Sequence, residues 1–419
     1  MKELSDDHMD KDLNKRVEIK LTRNIPDLIS PWDLSNYINA IASFYYKIEL
    51  INSLTTVINN EIPPANIFIL DGSFKLNKSN RELRRIYLND NGVKILFNIG
   101  NPVSLFPNED LFALNLIFKL YKNINKFLSE IRYRRLHKVR LKHSFDIFRK
   151  NGFTHSIMSI IEVAEKILIE KAKISESDIE GEKKLTAYKF TLSRLKKQTV
   201  SDFEEFLKIK NNSILDYITE CLQKNNEIIL DKKLQKNGFK INEILDKYYS
   251  EFFKKLNKLS RPIVGIYYGE REHIEILSLN NIISSPRSVA FLDIKQISHR
   301  SPLEIIILGL PSLALLFKGT IQVLDIIIKK QEIKLNKLRR KNLELQIKEK
   351  ELKIKKHEGE KNKELLLETK DLYEKNIGNV SSKYLRDGLS RSYVMLLDNG
   401  EKFTKKNKLN VHDASQATS

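Results

Sequence analysis

Alternating apolar and polar residues in the first quarter of the chain predict short strands with one helix among them. Residues 17–23, VEIKLTR, alternate as a strand does, and residues 66–74 and 92–100 show two further strand-like runs. An Asp-Asn-Gly tight-turn signal at 90–92 precedes the last of these runs. The segment 30–54 begins with Ser-Pro-Trp-Asp, a helix-start signature, and continues with helical apolar spacing.

Proline-free sequence with apolar residues spaced by threes and fours predicts a helical bundle in the middle of the chain. The strongest segments are 155–172, 202–223 and 241–259. Proline breaks helix interiors, so its absence from this stretch allows long helices. We interpret the region as three to five packed helices.

Strand patterns return at 262–269 and 273–279, which flank Gly-Glu-Arg-Glu as a predicted hairpin, and again at 288–298. The most apolar segment of the chain follows, at 303–330. On a helix, its polar residues lie at steps of four and three and form one stripe beside a broad apolar face. That stripe comprises Lys318, Gln322 and Asp325.

This amphipathic helix has three alternative placements in the sequence interpretation. It can pack against the second sheet or against other copies of the chain, lie in a membrane interface, or cross a membrane. A charged residue near the centre of a span costs about 2.5 to 3.5 kcal/mol, and Lys318 lies there. That cost brings the summed insertion free energy close to zero, so the alternatives stay open.

A heptad-like pattern after Lys329 predicts a basic coiled coil, with a solvated single helix as the alternative because Glu349 breaks the apolar seam. Leucines recur at intervals of seven, and an asparagine occupies one core position, where such a residue fixes the register of the strands. The core positions are Leu335, Leu338, Asn342, Leu345 and Leu352.

Together these patterns predict a predominantly helical α+β protein. Two small α/β segments flank a central helical bundle, and a basic coiled coil lies toward the C-terminus. The predicted units are a disordered start (1–14), a small α+β domain (15–131), the bundle (132–260), a second small sheet with the apolar helix (261–330), the coiled coil (331–376), and a short hairpin or helix with a disordered tail (377–419).

Charge and cysteine content narrow the classes of partner. The 419 residues include 73 Lys and Arg against 54 Asp and Glu, a formal charge of +19 that favours polyanions such as nucleic acid or anionic headgroups. The one cysteine, Cys221, excludes an internal disulfide framework. The polar start resembles no signal peptide. We therefore expect a cytoplasmic protein that is able to associate with a membrane.

The densest basic cluster, RYRRLHKVRLKH at 132–143, is the candidate polyanion site. The sequence interpretation places its cations all round one helix, with a solvated surface helix as the alternative. The candidate residues are Arg132, Arg134, Arg135, Lys138, Arg140 and Lys142.

Catalytic and cofactor motifs are scarce. The sequence contains no phosphate-binding glycine loop, nucleophile elbow or pair of metal-spaced histidines, so we predict no metal site and no cofactor. Asp293 and Lys295 lie on one face of a predicted strand, as do Glu18 and Lys20. This pattern resembles the acidic-x-Lys element of restriction-type nucleases, in which a carboxylate holds a divalent ion and the lysine assists attack.

The sequence hypothesis is a non-enzymatic interaction protein that self-associates through the apolar helix and coiled coil and binds a polyanionic surface. One alternative is a membrane-inserting or pore-forming effector that uses helix 303–330. A second alternative is a metal-dependent nuclease that uses an acidic-x-Lys strand.

Overall fold

A computed structural model describes the fold over most of the chain. The described residues are 17–23, 30–60, 62–73, 85–137, 140–174, 179–210, 241–277, 292–298, 303–309, 377–378, 380 and 383–416. Within them the protein is mostly helical and has two small antiparallel sheets, which confirms the α+β class.

The described strands and helices alternate irregularly along the chain. The strands are β1 (Val17–Arg23), β2 (Ile67–Ser73), β3 (Arg85–Tyr87), β4 (Pro102–Ser104), β5 (Pro262–Tyr268), β6 (His273–Ile276), β7 (Asp293–Ser298), β8 (Leu303–Gly309) and β9 (Leu409–Gln416). The helices are α1 (Pro31–Asn59), α2 (Asp90–Ile99), α3 (Glu109–Glu130), α4 (Arg140–Asn151), α5 (Phe153–Ile174), α6 (Ile179–Lys210), α7 (Ile241–Lys258) and α8 (Lys383–Lys406).

The first sheet has the strand order β7-β8-β1-β9. Ile19 lies opposite Ile307 and Leu21 opposite Ile305, and all four side chains are buried on one face. The alternation seen in VEIKLTR therefore reflects a strand with one face in the core and one outside.

The second sheet has the order β3-β6-β5-β2-β4 and lies between two apolar cores. In β2, Ile67 and Ile69 face the first core, whereas Phe68 and Leu70 face the second. A strand that is buried on both faces reads as a continuous apolar run, which explains the IFIL sequence of β2. The predicted hairpin around Gly269–Arg271 is confirmed, because β5 and β6 pair directly across it.

The two cores divide the helices between them. The first core contains the second half of α1, together with α7 and α8, under both sheets. The second core contains α2 to α6 against the opposite face of the second sheet. Strands from the predicted segments 15–131 and 261–330 pair in both sheets, since β1 pairs with β8 and β2 with β5.

The predicted strand at 92–100 is wrong, because these residues belong to α2. The Asn89 side chain accepts a hydrogen bond from the Gly92 backbone N–H at 2.9 Å and so caps the helix. Val93, Leu96 and Phe97 then follow at helical spacing and pack into the second core. The Asp-Asn-Gly sequence is thus the first turn of a helix and not a hairpin turn.

The prediction that the apolar helix begins at residue 303 is also wrong. Residues Leu303–Gly309 form β8, a central strand of the first sheet, where three consecutive isoleucines suit a pleated surface. Lys318, Gln322 and Asp325 of the predicted stripe lie outside the described residues. In the described part of the chain, no helix combines the length and apolarity needed to cross a bilayer.

The C-terminal region confirms the helical alternative and corrects the predicted tail. The DNGE sequence at 398–401 lies inside α8, and residues Leu409–Gln416 form β9, which pairs with β1. The predicted disorder of the tail is therefore wrong for Leu409–Gln416. The coiled-coil positions Leu335, Leu338, Asn342, Leu345 and Leu352 lie outside the described residues.

Candidate anion-binding site

The predicted basic cluster begins where the chain leaves α3. The Tyr133 backbone N–H donates to the Leu128 carbonyl at 2.8 Å and the Arg132 N–H to the Ser129 carbonyl at 3.0 Å. This pairing, with Arg132 at a φ of 53°, is a Schellman ending of the helix. Residues 133–137 have no regular structure, so the interpretation of the whole cluster as one helix is wrong for Arg132, Arg134 and Arg135.

Two hydrogen bonds hold this segment across α3. The Leu136 N–H donates to Asn125 Oδ1 at 2.7 Å, and the Tyr121 hydroxyl donates to the His137 carbonyl at 3.0 Å. Leu136 is buried between them. The segment therefore places α4 next to α3 and α5.

Three of the six candidate cations have partners within the protein. Arg134 pairs with Glu170, and Lys142 pairs with Asp146 one turn along α4. Arg135 Nε donates to Ser129 Oγ at 2.9 Å. Lys138 lies outside the described residues. These contacts leave Arg132 and Arg140 as the candidate cations best able to bind an external anion.

Arg140 lies at a surface cavity of about 160 Å³ between α3, α4 and α5. Two further basic side chains, His143 from α4 and Lys166 from α5, line the same cavity. In the described part of the chain, no carboxylate lies within ion-pair distance of Arg140 or Lys166. The remaining lining residues are Tyr121, Leu136, Ser144, Ser159, Ile160, Glu162 and Val163.

The Tyr121 phenol lies close enough to the Arg140 guanidinium for the charge to affect its pKa. Burial raises the pKa of the Tyr121 phenol, and the nearby Arg140 guanidinium opposes this rise. The phenol is therefore neutral at physiological pH. Its hydroxyl hydrogen is already directed at the His137 carbonyl.

The serine hydroxyls at the cavity are used within the helices. Ser144 Oγ donates to the Arg140 carbonyl at 2.9 Å, and Ser159 Oγ donates to the Ser156 carbonyl at 2.8 Å. Both hydroxyl hydrogens are thus directed at backbone carbonyls. An anion in the cavity would therefore meet mainly the basic side chains.

The acidic-x-Lys pairs lie on the first sheet. Lys295 Nζ is 2.6 Å from Glu18 Oε2, and Lys20 Nζ is 2.8 Å from Glu304 Oε1. Each described lysine of the motif is thus neutralised by a carboxylate from another strand. Asp293 begins the edge strand β7, and in the described ranges no group of three or more His, Cys, Asp or Glu side chains could hold a metal ion.

A polar network on the second sheet was not indicated by the sequence. Asp71 accepts two hydrogen bonds from Asn101, from its N–H at 2.7 Å and from its Nδ2 at 2.9 Å. Lys122 Nζ donates to Asn101 Oδ1 at 2.8 Å. The backbone of β2 passes close to the end of α2 here, since a Cβ on Gly72 would lie 2.0 Å from the Ile99 carbonyl oxygen. The network therefore fixes the connection between α2 and β4 against β2.

We expect Asp71→Asn to lower the free energy of unfolding by about 1 kcal/mol, because an amide nitrogen would face Asn101 Nδ2 in place of an acceptor. Urea unfolding followed by circular dichroism measures the change. Glu130→Gln removes a carboxylate from the exposed pair with Lys126 and should have an effect below about 0.5 kcal/mol. Equal effects of the two substitutions would contradict a bracing role for Asp71.

Compared with known proteins, the chain matches no family model, no curated protein and no solved structure at a significant level.

Proposed function

We propose that this protein binds a phosphate-bearing polyanion and that Arg140, His143 and Lys166 contact its phosphate oxygens. The convergence of three basic side chains from two helices on one cavity supports this proposal. Arg140 and Lys166 have no carboxylate partner in the described residues, so their charges are available to an external anion.

The chemistry of the cavity suits phosphate. A guanidinium presents a planar fork of N–H donors that matches two phosphate oxygens, and an ammonium adds a point charge. Glu162 at the same cavity is the one opposing carboxylate among the lining residues. The formal charge of +19 would steer a polyanion toward the molecule from a distance.

Isothermal titration calorimetry of the full chain with inorganic tripolyphosphate tests the proposal. We expect the double substitution Arg140→Gln and Lys166→Gln to weaken binding by at least about 30-fold, because each lost charge-assisted hydrogen bond contributes more than about 1 kcal/mol and the two together more than about 2 kcal/mol. Glu162→Gln should strengthen binding, since it removes a negative charge from the cavity.

Lys126→Gln with Lys150→Gln is the matched control. Both lysines are exposed on α3 and α4, and neither lines the cavity. This pair removes the same charge and should change affinity by less than about 2-fold. A similar loss in both double variants, or no binding by the native chain, would overturn the proposal.

A further inference from the structure

A second basic surface lies on α6, away from the predicted cluster. Residues 183–201 contain no aspartate or glutamate. Six cations lie within this part of the helix, namely Lys183, Lys184, Lys189, Arg194, Lys196 and Lys197.

Packing on the inner side of α6 fixes which residues face outward. Leu192 and Phe203 are buried in the second core, and the Tyr188 ring meets Phe127 edge to face at 5.6 Å. Residues on the opposite side are exposed. Lys183, Phe190, Arg194 and Lys197 follow at steps of seven, four and three and so share the outer face.

Phe190 is an exposed aromatic ring in the middle of this cationic face. Its exposed fraction is 72%, although six other phenylalanines of α3 to α6 pack against one another in or against the second core. Lys189 precedes it, and Arg194 lies one turn further along. In the part of the chain that the structure describes, Phe190 belongs to neither apolar core.

The combination of the Phe190 ring with several cations favours some anionic partners over others, namely nucleic acid over a membrane surface. Helices that lie in a membrane interface bury a broad apolar face, and the outer face of α6 offers Ala187 and Phe190 only. A nucleotide combines a π-face with a phosphate charge, so it complements both features. In a duplex the base faces are covered by their neighbours, which makes an unpaired strand the better match.

We propose that the outer face of α6 from Lys183 to Lys197 binds single-stranded nucleic acid, with Phe190 stacking on a base and the cations contacting phosphates. The face is about 21 Å long at 1.5 Å per residue, which is enough for several nucleotides. This inference narrows the polyanion of the proposed function, but it rests on a different helix from the Arg140 cavity.

Fluorescence anisotropy with the full chain and fluorescein-labelled oligo-dT tests the stacking. We expect Phe190→Leu to weaken oligo-dT binding about 10-fold, because an apolar side chain of similar size lacks the ring. Phe190→Trp should retain or increase affinity. A duplex of the same length should bind both substituted chains within about 2-fold of the native chain, since its charge contacts are unchanged.

Tryptophan fluorescence at position 190 gives a second measurement, which would not change on adding oligo-dT if Phe190 had only a structural role. The one native tryptophan, Trp32, is 81% exposed at the start of α1, so Trp32→Phe should leave the fold intact. With Phe190→Trp in that background, oligo-dT should quench the emission of the new indole. Unchanged emission at saturating oligo-dT would overturn stacking at this position.

Salt dependence tests the cations. We expect Arg194→Gln with Lys197→Gln to reduce the slope of log Kd against log salt by about 1.4, which is about 0.7 for each phosphate contact of a single strand. The Lys126→Gln and Lys150→Gln pair should leave that slope unchanged.

Three further outcomes would overturn the α6 inference. In the first, Phe190→Leu binds oligo-dT as tightly as the native chain does. In the second, oligo-dT binding is lost in the Arg140 and Lys166 double variant but not in the α6 variants. In the third, the native chain binds phosphatidylglycerol vesicles and does not bind oligo-dT. Tripolyphosphate binding that persists in Phe190→Leu would show that the cavity proposal stands independently.

Discussion

Replacing Ile307 by alanine is expected to lower the free energy of unfolding by about 3 kcal/mol, the range typical of large-to-small substitutions in a core. Ile307 is 2% exposed in β8 and lies opposite Ile19 of β1, which is fully buried. The substitution removes buried methyl and methylene groups from the first core and leaves a cavity between the strands. Urea unfolding of the full chain, followed by far-ultraviolet circular dichroism, measures the change.

Ile306→Ala is the matched control in the same strand. Ile306 points to the opposite face, opposite Lys20, and is only half-buried. Its truncation should cost less than about 1 kcal/mol, because partial burial leaves less apolar area to lose. If both substitutions had the same small effect, residues 303–309 would not form a one-sided strand in a core.

This pair of variants also bears on the apolar segment. The sequence interpretation treated 303–330 as one amphipathic helix, in which Ile306 and Ile307 would be neighbours on the same broad apolar face. A strand sends successive side chains to opposite faces, so it predicts a large difference between the two positions. The effect on stability thus distinguishes a strand from a helix without reference to any membrane.

The sequence was sufficient to predict elements that are stabilised by residues close together in the chain. The Ser30 side chain caps α1 by accepting from the Asp33 N–H at 3.1 Å, with Pro31 at the first helical position, as the sequence predicted. The β5–β6 hairpin was predicted for the same reason, since its turn and both strands are contiguous.

The rest of the fold depends on contacts between distant residues. Strand β1 pairs with β8 and β9, which follow it by nearly three hundred and four hundred residues, and no local pattern encodes such partners. The α2 segment shows a different limit, because Asn89 and the Asp-Asn-Gly sequence carry both a cap signal and a turn signal. Packing of Val93 and Leu96 on the second core decides in favour of the helix.

The candidate site was only partly predictable for similar reasons. The density of basic residues at 132–143 led to Arg140, but charge density could not show that Arg134 and Lys142 are paired with carboxylates. Lys166 lies on another helix, in a segment whose apolar pattern indicated only packing. Phe190 lacked a sequence signal, because its exposure depends on which face of α6 meets α3 and α5.

The stability of the native chain is expected to rise relative to Lys47→Met by about 2 kcal/mol between pH 7 and pH 9.5. Lys47 is 8% exposed in α1, and its Nζ donates to the Asn257 carbonyl at 2.8 Å, near the end of α7. Burial lowers the pKa of this ammonium to about 8. Desolvation therefore outweighs the favourable position at a helix C-terminus.

The sign follows from which state holds the proton. A lysine in the unfolded chain keeps its proton up to about pH 10.4, whereas the folded Lys47 releases it near pH 8. Between these values the unfolded state binds more protons, so the free energy of unfolding increases with pH. Below about pH 7 both states are protonated, and the cost of burying the charge is constant.

The difference between native and Lys47→Met unfolding curves isolates this contribution, because both chains share every other titrating group. Urea midpoints of both chains are measured at several pH values between 6 and 10. The difference between the two midpoints should be constant below pH 7 and should grow above pH 8. Parallel curves across the whole range would contradict a buried, charged Lys47. A difference that runs in the opposite direction would mean that the ammonium is stabilised by the fold, and that the α7 carbonyl outweighs the loss of water.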